Sequence, residues 1–294
     1  MDITVIVPVF NGGKTIVELN DRISLALNDS FTYEILYVHD HGKDNSLEVI
    51  EALVLNHPDV VRGFSLDRNY GQHNAILFGI SKAKGKYIIT LDEDLQHDPA
   101  VIIKLVEKQR EGDYDVVYAM FEKLKHPDFR IRTSELLRRV LRTIVPGIFP
   151  GYSPYRLIKK DVAVKMLIMN DSYTFIDGYL ARLTSSFGFV NADHFTRASG
   201  ESSYSYFRLF RHASLIIIAQ SYLRRRLLLA ACILLLASIA LMVQIRIAGG
   251  GTVFVICLIT GLAGLLLLFK WSILQFIHIS GVKNNPLPKE FTQI

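Results

Sequence analysis

The stretch Lys86–Pro99, KYIITLDEDLQHDP, places Asp92, Glu93, Asp94 and Asp98 within seven residues, directly after a strand-like run. Clustered carboxylates repel one another, so the run is either a solvated turn or a place where something positive sits. Outward from it, the chain alternates two kinds of pattern. ITVIVPVF near the N-terminus, YEILYV, VVRGFSL, KYIITL and YDVVYAM read as buried strands. Between them, KTIVELNDRISLAL places Ile16, Leu19, Ile23 and Leu27 on one helical face. SLEVIEALVL, HNAILFGISKAKG and PAVIIKLVEKQREG repeat the helical period, the last with Pro99 near its first turn. Alternating strands and helices predict an α/β domain with a mostly parallel sheet covered on both faces. Ligands of such sheets bind beyond the carboxyl ends of the strands, and Asp92 to Asp94 fall at such an end. Asp92 and Asp94 are two apart and face the same way if the extended geometry continues. Two carboxylates on one side suit a hard divalent cation, Mg²⁺ or Mn²⁺, completed by diphosphate oxygens. The D-x-D spacing alone is common in loops; its position at a strand end gives it weight.

The C-terminal third has another character. Half of the 294 residues are hydrophobic, with a mean hydropathy of +0.27. Residues 227–245 and 252–270 are almost wholly apolar, each close to the ~20 residues that cross a hydrocarbon core as a helix. The connector RIAGGG between them reads as a turn, so a transmembrane hairpin is expected rather than two core helices. Arg224, Arg225 and Arg226 precede the first span, and Lys270 and Lys283 follow the second, against one Arg246 in the connector. Positive charge stays inside, so both ends are expected to be cytoplasmic, with Trp271 as an interfacial anchor. Tyr206 to Arg226 carries five arginines and no acid, a composition suited to the anionic inner leaflet or to packing on the globular part. The expected layout is therefore a catalytic-type α/β domain at 1–205, a basic juxtamembrane segment at 206–226, a hairpin at 227–280 and a cytoplasmic tail at 281–294. The two cysteines, Cys232 and Cys257, lie in apolar runs and indicate no disulfide framework. The N-terminus opens on a strand pattern without the marks of a signal peptide. The formal charge of +5 is modest, and no nucleic-acid partner is expected.

VIVPVFNGG, then DNS after Asp40, RNYGQHNAILFGI, GKYIITLDEDLQHDP and RASGESSYSYFRL, followed by two apolar runs, form an ordered set. This set resembles family 2 glycosyltransferases of the GT-A fold, in the polyprenyl-phosphate branch that includes dolichol-phosphate mannose synthases. RNYGQHNAI in particular is similar to undecaprenyl-phosphate formamido-arabinose transferases. The likeness covers about Ile3 to Phe276. It implies an inverting transfer of one sugar from a UDP- or GDP-type nucleotide sugar to a polyprenyl phosphate, at the cytoplasmic face of a bacterial inner membrane, for cell-envelope glycan or lipid modification. It also implies a homo-oligomer, possible as a tetramer. By the same resemblance Pro8, Val9, Phe10 and Asn11 line the base pocket and Asp40 touches the base. Asp92 and Asp94 hold metal and diphosphate, Asp94 the more directly, with Gln96 following. Arg68, Asn69, Gly71 and Gln72 approach the nucleotide sugar, and Arg197, Ser202, Ser203 and Tyr204 meet the lipid phosphate. An Arg beside hydroxyls suits that phosphate chemically.

Two positions depart from the family pattern. HDHGKD, His39 to Asp44, replaces an Asp-Asp-Gly-Ser start, so a base-pocket carboxylate is missing at His39. His39 and His41 have strand-compatible spacing, yet a zinc site needs three or four protein ligands and no further pair is visible. In GYSPYRLIKK, Pro154 stands where many relatives carry an acid proposed as general base. A phosphate monoester is already mostly ionised at neutral pH, its second pKa being about 6. It attacks without a base, and the work falls to positioning and charge neutralisation. Arg156 is expected either to hold a phosphate or to brace its loop, and Asp177 is a helix-entry cap or a lesser acidic candidate. A processive synthase is disfavoured because no Gln-x-x-Arg-Trp motif is present; the remaining rival is a non-catalytic nucleotide-sugar-binding membrane scaffold.

Overall fold

The computed structural model describes residues 1–28, 30–121, 145–169, 174–192, 229–238, six positions between 261 and 270, and 291–294. β1 (Ile3–Val9), β2 (Tyr33–His39), β3 (Val61–Leu66) and β4 (Tyr87–Thr90) alternate with α1 (Ile16–Leu27), α2 (Ser46–Asn56) and α3 (Gln72–Lys82). Then come α4 (Val101–Gly112), β5 (Val116–Phe121), β6 (Arg156–Lys159), α5 (Lys160–Lys165), a 3₁₀ turn at Met166–Ile168, α6 (Ile176–Leu183), β7 (Phe187–Ala192) and β8 (Phe291–Gln293). The sheet order is β7-β5-β6-β4-β1-β2-β3-β8. The pairs β4–β1, β1–β2, β2–β3 and β5–β7 are parallel. β6 lies antiparallel between β4 and β5, and β8 is antiparallel to β3.

β1 and β2 are buried along their whole length, which is why they read as continuous apolar runs rather than alternating ones. One face packs Val5, Val7, Tyr37 and Ile89 against Ile16, Leu19, Ile23 and Leu27 of α1 and against α4. The other packs Ile6, Leu36, Phe64 and Ile88 against α3, α5 and α6. Register sets the site. Ile3 pairs with both Tyr33 and Tyr87, but β1 and β2 run on to the Val9–His39 pair while β4 stops at Thr90, opposite Ile6. Leu91 N–H still bonds Ile6 O at 3.2 Å, and the acidic run then leaves the sheet below the loop that follows β1.

The antiparallel strands β6 and β8 were not apparent in the sequence pattern. The tail expected at 281–294 ends in β8, which pairs Leu66 with Phe291 and Phe64 with Gln293. Of the expected spans, residues 229–238 and six positions at 261–270 are described, all helical. Within that segment Ala231 is buried, and a methyl group added at Gly264 would meet Leu235 Cγ at 3.0 Å. Among the described residues no helix is long and apolar enough to cross a membrane; about half of the first expected span and most of the second lie outside them.

Candidate active site at the carboxyl edge of the sheet

Three loops meet beyond β1, β2 and β4, and backbone geometry marks the place. Of the four non-glycine residues with positive φ among those described, Asn11 (63°), His41 (56°) and Leu95 (61°) lie here. A left-handed leucine costs on the order of 1–3 kcal/mol and persists only where surroundings hold it; Leu95 is buried in the core beside α4.

The loops after β1 and β2 are stitched together. Asn11 Oδ1 accepts Lys43 N–H at 2.7 Å, Asp44 Oδ2 accepts Gly13 N–H at 2.9 Å, and Ser46 Oγ accepts Gly12 N–H at 2.9 Å. His39, at the end of β2, is buried. Its Nε2 accepts Gly42 N–H at 3.0 Å, so Nδ1 carries the proton and donates to Ser65 Oγ at 3.1 Å. Burial holds the imidazole below its usual pKa. Nε2 thus serves the loop and Nδ1 serves β3, which removes the zinc reading and gives the residue that replaces an acid a neutral, structural task.

Asp40 is 2% exposed. Its two carboxylate oxygens accept Tyr70 N–H at 2.7 Å and Gly71 N–H at 2.8 Å, and burial pushes its carboxyl up to about 6 against those two bonds. It therefore faces the loop before α3 rather than an open pocket. Gly71 has φ 86° and ψ 153°, a region that residues with a Cβ rarely enter. Beyond it, Gln72 Nε2 donates to Asp92 Oδ1 at 2.6 Å. Asp94 Oδ1 accepts Gln96 N–H at 3.1 Å. Glu93 points the other way: Phe10 N–H lies 3.4 Å from its Oε1, and a methyl group on Gly12 would meet its Cγ at 2.6 Å. Burial first, then the charges of Asp92 and Asp94, push the Glu93 carboxyl up to about 8. The sequence holds one signal for this placement of Glu93: a period of two, which sends it opposite to its neighbours.

The structure thus brings Asp92, Asp94, Gln72, Gly71 and Asp40 to one edge. Phe10, 47% exposed, and Asn11 lie at the rim, whereas Pro8 and Val9 are buried inside β1. Arg68 and Asn69 are exposed on the loop before α3, Arg68 with its guanidinium 4.8 Å from the Tyr70 ring centre. Arg156 does not face this edge. It is 1% exposed, forms an ion pair with Asp177, and donates from Nε to Thr90 Oγ1 at 3.1 Å. Tyr118 O–H donates to the same Asp177 oxygen at 2.9 Å. Burial works against the guanidinium charge, but Asp177 outweighs it and keeps its pKa above the usual value. Of the two roles expected for Arg156, bracing is the one its surroundings fit. Asp177 is accordingly the brace's counter-ion, not a free acid. Thr90 Oγ1 donates to Pro154 O, so the residue standing where relatives carry an acid contributes its carbonyl to the same brace. Arg197, Ser202, Ser203 and Tyr204 lie outside the described residues.

The donor set at Asp92 and Asp94 is oxygen only, as hard divalent ions require. Among the described residues no three His, Cys, Asp or Glu side chains are grouped to hold an ion by themselves, so ligand oxygens would have to complete the shell. The sequence profile of Glycosyl transferase family 2 matches residues 4–167, which include every loop just described. The chain belongs to glycosyl transferase family 2. The chain is also similar in sequence to two named transferases. An undecaprenyl-phosphate 4-deoxy-4-formamido-L-arabinose transferase of Shewanella sediminis (strain HAW-EB3) is 34% identical over 214 residues, 70% of this chain and 63% of that protein. A transferase of the same name from Enterobacter sp. (strain 638) is 33% identical over 209 residues, 70% of this chain and 64% of that one. The chain therefore matches just under two thirds of each relative's length. In fold, it resembles the glucosyl-3-phosphoglycerate synthase of Mycobacterium tuberculosis crystallised with Mn²⁺, UDP-glucose and phosphoglyceric acid. The TM-score is 0.56 at 17% identity, covering 74% of this chain and 78% of that one. This family 2 member has the mostly parallel α/β sheet of the GT-A fold.

Proposed function

We propose that the protein is an inverting glycosyltransferase that moves one sugar from a nucleotide sugar to a polyprenyl phosphate at the cytoplasmic face of a bacterial membrane. The observation that carries the reading is the Asp92–Asp94 loop at the carboxyl edge of β4, with Asp92 held by Gln72 from the start of α3. The relatives' names supply the lipid acceptor. An acceptor phosphate oxygen forms the bond to the anomeric carbon as that carbon's bond to the donor diphosphate breaks, and the electron pair leaves with the nucleoside diphosphate. The acceptor is already ionised near neutral pH, so the acid missing at Pro154 removes no necessary proton carrier. Asp92 and Asp94 would hold Mg²⁺ or Mn²⁺, which supplies charge neutralisation for the leaving diphosphate. Phe10 and Asn11 at the rim, with Arg68 and Asn69, would border the nucleotide sugar. Arg197, Ser202, Ser203 and Tyr204 would meet the acceptor phosphate.

Two observations support membrane residence. Leu229, Ile233 and Leu236 are exposed at i, i+4 and i+7 of a helical segment, as lipid-facing residues are. β8 belongs to the same sheet as β7, the last described strand before the apolar segment, as a hairpin with both ends on one side requires. The test is transfer of radiolabelled sugar from UDP-, GDP- and dTDP-sugars to undecaprenyl phosphate with Mn²⁺, followed by chloroform extraction. A lipid-linked product is expected from one donor, with at least a ~100-fold loss in Asp94→Ala, the low end for removing a charge-stabilising group. Nucleotide binding with no lipid-linked product from any donor would favour the scaffold instead.

A further inference from the structure

Asp40 and Asp92 follow different strands, β2 and β4, yet three consecutive residues connect them. β2 and β4 both flank β1, so their axes lie roughly 10 Å apart, two strand spacings. The crossover from β3 to β4 enters α3 over that gap. Asp40 is anchored below by its own N–H to Val9 O at 2.8 Å. Its two oxygens take the N–H groups of Tyr70 and Gly71. Gly71 O then accepts Asn74 and Ala75 N–H at 3.0 and 3.1 Å, opening the helix. Gln72, the first helical residue, is exposed and donates to Asp92 Oδ1. The amide orients that carboxylate without cancelling its charge, which a Lys or Arg there would do.

Resting on the function proposed above, we infer that Asp40 is a positioning residue for Asp92, acting through the Tyr70–Gly71 backbone and Gln72, and that it does not read the nucleotide base. The relay fixes the carboxylate against which a divalent ion and diphosphate are held. Gln72 is one step removed from the proposed ligand, and partners of that kind change metal affinity by about 10–100-fold when removed. Asp40→Asn replaces one acceptor by an N–H₂ that opposes a backbone N–H. Gln72→Ala breaks the last step at an exposed site that leaves the core untouched.

The test uses the full chain in detergent and measures Mn²⁺ binding at saturating UDP, and again at saturating GDP, from the loss of the free-Mn²⁺ electron-spin signal. Gln72→Ala should weaken Mn²⁺ binding by about tenfold or more, and Asp40→Asn, further along the same chain of contacts, should weaken it measurably but by no more than Gln72→Ala. The double variant should be no weaker than the worse single one, because both cut one chain of contacts. The ratio of UDP to GDP affinity should be unchanged in Asp40→Asn. A changed ratio with Mn²⁺ binding intact, or strictly multiplicative losses in the double variant, would overturn the relay. Wild-type protein that binds no nucleoside diphosphate with Mn²⁺ would overturn both the relay and the transferase reading. Normal wild-type binding with unaffected variants would overturn the relay alone.

Discussion

His39 shows how one side chain can replace another of opposite chemistry without loss of the loop it serves. Its Nε2 must be unprotonated to accept Gly42 N–H, and this ties stability to pH. Burial lowers its folded pKa most; Asp44 and Glu48 oppose that, and His41 adds to it. A histidine with a folded pKa below its unfolded value of about 6.5 contributes no penalty above that pH. As pH falls below 6.5 the unfolded chain gains a proton that the folded one refuses, and stability is lost, by at most about 1.4 kcal/mol per pH unit. Asp40 works the other way. Its carboxyl, pushed up to about 6, binds a proton more tightly folded than unfolded, so acidification from 6 towards 4 adds stability. The whole-protein curve therefore mixes two signs, and the difference between wild type and His39→Asn isolates one. Denaturant unfolding at pH 7.5 and 5.5 should show the wild type losing more stability on acidification than the variant. Equal losses would mean that His39 is not held neutral.

Between elements, the Arg156–Asp177 pair fastens β6 to α6, with Thr90 at the end of β4 and Tyr118 on β5. Removing one partner of a buried pair leaves an uncompensated charge and costs about 3–5 kcal/mol, whereas replacing both by apolar residues is often neutral. Asp177→Ala should therefore lower the melting temperature sharply, and Arg156→Met with Asp177→Leu should recover most of it. Turnover separates the two roles expected for Arg156. A brace predicts that the recovered double variant regains sugar transfer; a phosphate ligand predicts that it stays inactive. This is also where the sequence stops being legible. The first four strands and α1 to α4 are written locally, in β-branched runs and in Ile16, Leu19, Ile23 and Leu27 on one face. The strand-end position of Asp92 and Asp94 followed from that alternation. β6 is four residues, two of them basic, and pairs antiparallel because of what flanks it rather than what it contains. Nothing near Arg156 shows that its counter-ion arrives 21 residues later. Likewise no sequence pattern displays that the partners of Asp40 are the backbone N–H groups of Tyr70 and Gly71.

At the scale of the molecule, the last residues constrain what the apolar segment can do. Phe291–Gln293 extends the sheet beside β3, and Ile294 N–H reaches Gly63 O at 3.0 Å. A strand in that sheet lies on the same side of any membrane as the sheet itself. Whatever path residues 206–284 take, they must cross a bilayer an even number of times. The two apolar runs satisfy this, and the arginines before the first and the lysines after the second favour the cytoplasm for both ends. The apolar hairpin would then be tied to the sheet at both of its ends, which would limit how far the site can drift from the proposed acceptor in the leaflet. In a background with Cys232 and Cys257 replaced by serine, a cysteine introduced at Gly249 in the connector should react with a membrane-impermeant maleimide added outside right-side-out vesicles. A cysteine at Lys283 should react only after the vesicles are opened. Outside labelling at Lys283 would place the tail across the membrane from the catalytic domain. That is incompatible with β8 pairing in its own sheet, so both the two-point tether and the hairpin would have to be abandoned.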